Sequence, residues 1–212
     1  MNPTGALARA PKQERSKISF ERALDAVVEL LAERGSDAFT LADVATRAGV
    51  STGSIYTRVD SKENLIRSAH EREMSRLVAE GEAALAAPPS GSGSFRELVG
   101  ELIGQVGEHL RRNAALLRAF MLVAAHDETI AQGGKVSYAR ILELWNERLG
   151  ARRDEIAHPD PDAATRWAYT VTYSVIARHL GLGTAEKADG GDWDATLANL
   201  TVMVTTYLTA PA

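Results

Sequence analysis

The 212-residue sequence predicts an all-α protein. Apolar residues recur at intervals of three and four through most of its length, the spacing that lines one face of a helix. The helical runs are introduced by Ser, Thr or Asp, whose side chains can satisfy the free amides of a first turn. No hairpin turn pairs the segments richest in β-branched residues.

In chain order, Ser19 is positioned to cap a helix through Ala23, Ala26, Val27, Leu30 and Leu31 that ends at Gly35. Thr40-Leu41-Ala42-Asp43 has the form of a capping box, and Leu41, Val44, Ala45 and Ala48 make the helix behind it amphipathic up to Gly49. Ser51 opens a short helix from Thr52 to about Arg58, and Asp60-Ser61-Lys62-Glu63 opens a long one to Ala87. The run Pro88-Pro89-Ser90-Gly91-Ser92-Gly93-Ser94 reads as a flexible connection. Beyond it, 95–112 and 114–126 read as helices, Gly133-Gly134 as a break, and Lys135 to about Ile156 as a further helix. Asp160-Pro161-Asp162 begins another, ended by Gly181 and Gly183, and the last spans about Trp193 to Leu208. Segments 170–177 and 201–208 read as strands by propensity alone. They are assigned to helices because each continues a pattern of threes and fours from a capped start.

Composition narrows the function. Hydrophobic content of 45% and charged content of 25% predict a globular chain with a proper core. The chain has no cysteine, which excludes a disulfide framework, a thiolate metal site and a Cys nucleophile. Its five histidines are dispersed without H-x-x-x-H spacing, so neither metal nor cofactor is expected. No apolar run reaches the roughly 20 residues of a membrane span, and the start of the chain has no signal-peptide core. A soluble, cytoplasmic protein is the expectation. The net charge is −4, but residues 1–70 carry ten Lys and Arg against nine Asp and Glu, leaving fourteen against nineteen for the rest. Arg9, Lys12, Arg15 and Lys17 face only Glu14 within the first twenty residues, so phosphates could be neutralised locally there.

Residues 48–58, AGVSTGSIYTR, admit two chemistries. Gly49-x-Ser51-x-Gly53 matches the nucleophile elbow of a hydrolase, which requires a preceding strand and a later His and acid. The preceding LADVATRA is helical by pattern, and none of the histidines follows an evident acid partner in a loop. A helix-turn-helix fits instead: Gly49 makes the tight turn, Val50 and Ile55 point inward, and Thr52, Ser54, Thr57 and Arg58 point outward. Gly53 costs a helix about 1 kcal/mol relative to Ala, which suggests a close approach to its backbone.

Residues 19–66 resemble the N-terminal DNA-binding domain of the TetR family of transcriptional regulators. The resemblance rests on the AERG helix end, the Thr-capped helix, AGVS-x-G-x-I-Y and SKE-x-L occurring in order. Val59 stands where the family usually has an aromatic, and Arg58 where it commonly has His. The resemblance implies an arm at 1–18, a helix-turn-helix domain at 19–66 and an effector-binding and dimerisation domain at 67–212. It further implies that Thr40, Thr52, Gly53, Ser54, Tyr56, Thr57, Arg58 and Lys62 face double-stranded DNA, with Arg15 and Lys17 within reach of it. The expected function is that of a homodimeric repressor, not an enzyme, released from its operator by a small-molecule effector. A helical binding or scaffold protein that keeps the fold without reading DNA is the alternative. Dimerisation is expected through the last two long helices. Candidate effector-pocket residues are His109, Phe120, Met121, Trp145, Trp167, Tyr169 and Tyr173, with His109, Arg118 and His126 as polar anchors.

Overall fold

The computed structural model describes residues 12–86, 93–183 and 191–210. Among the described residues the chain is helical and has no strand, in agreement with the predicted class. The helices are α1 (Lys12–Arg34), α2 (Leu41–Ala48), α3 (Thr52–Tyr56), α4 (Lys62–Ala86), α5 (Phe95–Arg112), α6 (Ala114–Ala124), α7 (Glu128–Gly150), α8 (Pro161–His179) and α9 (Trp193–Thr209). The chain divides into two compact units, Met1–Ala69 and His70–Ala212. Residues 1–11 of the expected arm, residue 87 at the end of the expected long helix and 88–92 of the expected connection lie outside the described residues.

In the first unit α1 starts seven residues earlier than the sequence suggests. Ser19 is interior to it, and its hydroxyl donates to the Arg15 carbonyl at 2.9 Å. A serine that can satisfy itself on the carbonyl one turn back does not force a helix start. Ala23, Leu24, Ala26, Val27, Leu30 and Leu31 of α1 are buried with Phe39, Val44, Ala45, Ile55, Val59, Leu65 and Ile66. Burial of each large aliphatic side chain contributes about 1.5–3 kcal/mol before entropy is charged against it. Arg47 of α2 makes a bidentate bond to Glu33 of α1, both contacts at 2.8 Å, and adds Glu29 at 3.2 Å. These groups are largely exposed, so the fork fixes orientation more than it adds stability.

The second unit centres on Val99, Leu102 and Ile103 of α5, Trp145 and Leu149 of α7, Tyr169 and Ile176 of α8, and Leu208 of α9. Both segments with strand-like propensity, 170–177 and 201–208, are helical within α8 and α9. Asp160 caps α8 through the Ala163 amide at 2.9 Å with Pro161 in the first turn, and Asp192 caps α9 through Ala195 at 3.0 Å. Ser94 and Glu97 form a reciprocal capping box at the start of α5.

Two expectations fail in α7. Gly133 and Gly134 do not break the chain but lie inside the helix, which starts at Glu128 with Asp127 as its cap. Gly133 is small for a packing reason: a Cβ there would meet the His70 ring. The helix then stops at Gly150, short of Ile156. A 3-10 turn at Arg153–Glu155 follows, and Ile156 is buried in extended backbone, which continues the apolar pattern without continuing the helix.

Candidate nucleic-acid interface and ligand cavity

In the first unit, α2 and α3 are joined by a turn that the sequence specifies locally. Gly49 adopts the left-handed conformation at φ 63°, which a side chain would disfavour. The Val50 amide closes the turn on the Ala45 carbonyl at 3.0 Å. Thr40 and Asp43 exchange side-chain-to-amide bonds of 3.1 and 2.9 Å at the start of α2, and these bonds and the Thr40 cap hold the Asp43 carboxyl below its usual range. The Ser51 hydroxyl accepts from the Ser54 amide at 3.1 Å and so starts α3.

Ile55 anchors α3 in the core, leaving Thr52, Gly53, Tyr56, Thr57 and Arg58 exposed. Tyr56 presents its ring to solvent and is 55% exposed. A Cβ added at Gly53 would find nothing nearer than the Ser51 hydroxyl at 3.9 Å, so the fold itself does not require glycine there. Ser54 is half-buried and shares a 2.8 Å hydrogen bond with Ser51, while the Thr57 hydroxyl donates to the Ser54 carbonyl at 2.7 Å. Arg58 leans back on α1, its Nε 3.4 Å from the Ser16 hydroxyl and its guanidinium 5.8 Å from the centre of the Phe20 ring. Val59, in place of the aromatic usual in the resemblance, is buried.

Thr40 and Lys62 serve their own unit. The Thr40 hydroxyl is committed to its cap. The Lys62 ammonium donates to the Asp37 carbonyl at 2.8 Å, pairs with the Asp37 carboxylate at 3.5 Å and sits 5.5 Å from the Phe39 ring centre. It braces the segment between α1 and α2, a duty that a reading of the SKE-x-L motif as a phosphate contact does not reveal.

The second unit contains a cavity of about 410 Å³, within the 300–1,000 Å³ usual for small-molecule sites. Its wall takes His70, Met74 and Leu77 from α4, Gln105, His109 and Leu110 from α5, Phe120 and Met121 from α6, Tyr138 and Ile141 from α7, and Tyr169 and Tyr173 from α8. Five of the seven sequence candidates therefore share one cavity. The other two are corrected. Trp145 is fully buried behind the wall, its indole N–H donating to the Thr165 carbonyl at 3.2 Å. Trp167 is 58% exposed, because at its position α8 has turned away from the core. Of the polar anchors, His109 lines the cavity and the other two do not: Arg118 donates to the Leu180 and Gly181 carbonyls at the end of α8, and His126 is exposed.

Sequence reasoning missed Gln105, Tyr138 and His70 as lining residues. Tyr138 packs 5.1 Å from Tyr169 and 5.0 Å from Tyr173, ring centre to ring centre, and its hydroxyl lies 3.3 Å from that of Thr170. Burial lowers the proton affinity of the His70 and His109 imidazoles and raises the pKa of the Tyr169 and Tyr173 phenols. All four are therefore held neutral near pH 7. Among the described residues no group of three or more His, Asp or Glu is arranged to hold a metal, and no helix is long and apolar enough to cross a membrane.

Known proteins place this arrangement. Residues 23–69 match the bacterial regulatory proteins of the tetR family. The chain is 32% identical to the HTH-type transcriptional repressor KstR of Mycobacterium tuberculosis over 113 residues, 53% of this chain and 48% of that one. It is 32% identical to the fatty acid metabolism regulator protein of Bacillus subtilis over 143 residues, 67% of this chain and 60% of the other. The chain thus spans about half to three fifths of the length of these two regulators. Among solved structures, a TetR-family regulator from Mesorhizobium loti aligns over 92% of this chain and 96% of its own with a TM-score of 0.67 at 16% identity. The fatty acid degradation regulator FadR from Bacillus halodurans aligns over 95% and 96% with a TM-score of 0.61 at 18% identity, a likeness of fold. The match to the tetR family of bacterial regulatory proteins thus falls on residues 23–69, which carry α2, the Gly49 turn and α3 of the first unit.

Proposed function

We propose that the chain is a homodimeric repressor that reads double-stranded DNA through α3 and is released from its operator by a small molecule held in the second unit. The observation that carries this reading is the outer face of α3. It combines an exposed tyrosine, exposed Thr52 and Thr57 hydroxyls, and a glycine that the fold does not need. A surface of that kind suits close approach to a phosphate backbone and to base edges. Tyr56 is assigned to a phosphate, Thr52 and Ser54 to phosphate or base edges, and Arg58 to the same surface once it releases Ser16. Thr40 and Lys62 are assigned to holding that surface in shape.

Two features of the second unit support the remaining parts of the reading. The cavity supplies a site for an effector, which must bind two states of the repressor with different affinity to shift it. Trp167 and Val175 on α8 and Val202 and Met203 on α9 leave large apolar side chains exposed on two helices that pack on each other. Such surface favours a two-fold interface.

The test is selection of bound duplexes from a randomised pool at near-physiological salt, with Tyr56→Ala as the control. Enrichment of a two-fold symmetric motif that the variant loses is expected. With three or four phosphates neutralised per subunit, the salt dependence of binding should have a log-log slope of about −6. Salt-sensitive binding without any enriched motif would overturn the reading in favour of a helical binding protein.

A further inference from the structure

Apart from the exposed Lys135, the polar groups lining the cavity are uncharged, and one of them lacks a partner. Gln105 lines the wall and donates through Nε2 to the Glu101 carboxylate at 3.3 Å, while its Oε1 is buried without a hydrogen-bond partner. A buried amide oxygen left in this state is costly, and a ligand that brings a donor removes the cost. The terminal torsion of glutamine is soft, so a small turn of the amide brings the oxygen to such a donor.

One turn along the same face of α5, His109 also lines the cavity, and burial keeps its imidazole neutral. His70, in the wall contributed by α4, is neutral for the same reason. The only lining residue with a fixed charge, among the described residues, is Lys135, and it is exposed. A carboxylate or phosphate carried to the Gln105 side of the cavity would shed its water and meet no cation among the lining residues there, since Arg76 and Arg112, which act on His109 from outside the lining, are paired with Glu80 and Glu108. An ammonium group would find no carboxylate among the lining residues. Apart from Ser137, whose hydroxyl donates to the Gly133 carbonyl at 3.1 Å, the remaining wall is apolar or aromatic.

Resting on the reading of this cavity as an effector site, we infer that it takes an uncharged, largely apolar alcohol whose hydroxyl donates to Gln105. A phenol or a secondary alcohol on a ring system has the same chemistry as a straight-chain alcohol, since the requirement is one donor on an apolar body.

The experiment uses the full chain and three probes of matched length: 1-decanol, 1-methoxydecane and decanoate. Binding is followed by tryptophan fluorescence, since Trp145 lies 5.6 Å from the Tyr169 ring in the wall. Decanol should bind about tenfold more tightly than either the ether, which lacks the donor, or the anion. Gln105→Leu should erase the preference over the ether by weakening decanol without weakening the ether, and Gln105→Met serves the same purpose should the leucine variant fail to fold. Tightest binding by decanoate, no binding of any probe, or a preference for decanol that survives the loss of Gln105 would overturn the inference. Decanol is then added to the complex with the selected duplex. A Gln105-dependent preference without release from DNA would sink the effector reading and leave the ligand chemistry standing.

Discussion

A methyl group placed on Gly133 of α7 would lie 2.6 Å from Cε1 of His70 on α4. The imidazole has no easy retreat, because it packs edge-on against Phe120 with ring centres 4.9 Å apart. Gly133→Ala should therefore destabilise the protein by about 1–3 kcal/mol, the usual penalty for overpacking, although alanine is the better helix former. Gly134, one residue along, has nothing within 4 Å of the same added atom, and Gly134→Ala should stabilise by up to about 1 kcal/mol. Urea unfolding of the two variants side by side decides the matter. Equal stabilisation by both would show that the His70 contact is loose.

Gly53→Ala should separate folding from function by moving them in opposite directions. The position is helical and its added Cβ is unopposed, so the free protein should gain about 0.5–1 kcal/mol. If α3 approaches DNA closely at that residue, the same methyl group should cost at least about tenfold in operator affinity, or roughly 1.4 kcal/mol. Thermal unfolding and a duplex titration at fixed salt provide the two readings. Unchanged affinity with raised stability would remove Gly53 from the contact surface.

Much of this architecture was legible because its signals are local. The Thr40–Asp43 box, the left-handed Gly49 and the Ser51 cap are each written within four residues, and the structure reproduces all three. The same holds for Asp160 and Pro161 at the start of α8. What failed depends on neighbours distant in sequence. Gly133-Gly134 carries the composition of a break, yet the deciding contact is with His70, sixty-three residues away. Trp145 and Trp167 have equal claim to a pocket by type, but only the rotation of α7 and α8 sends one behind the wall and the other to the surface. The contact between Lys62 and Asp37, in a loop twenty-five residues earlier, is likewise invisible to a motif that covers the lysine alone.

Trp167→Glu and Met203→Glu test the proposed two-fold association. Each residue is about half exposed, so a charge there should leave the fold of an isolated chain intact. A charge facing its own symmetry mate across an apolar interface would be desolvated and repelled. Each variant should weaken self-association by at least about a hundredfold and abolish two-site DNA binding with it. Sedimentation velocity over a dilution series reads the first effect. A double variant that sediments as wild type would place the dimer interface elsewhere.

Stability should fall as the solution is acidified below pH 6.5, the ordinary histidine value, because of His70 and His109. Burial depresses both, with Asp127 opposing it at His70; at His109 Glu80 opposes it, while Arg112 and Arg76 reinforce it. Between the depressed folded values and 6.5 the unfolded chain binds more protons than the folded one. Unfolding free energy therefore rises with pH through that window and levels off above it. Asp43, Glu33 and Glu63, whose carboxyls are held low by hydrogen bonds, give a slope of the same sign but closer to the ordinary carboxylate range. His109→Gln and His70→Gln, which cannot take up the proton, should each flatten the upper window and leave the lower one in place. Urea titrations at half-unit steps from pH 4 to 8 resolve the two windows. A wild-type profile that is flat between pH 5 and 6.5 would mean that both imidazoles reach water in the folded protein.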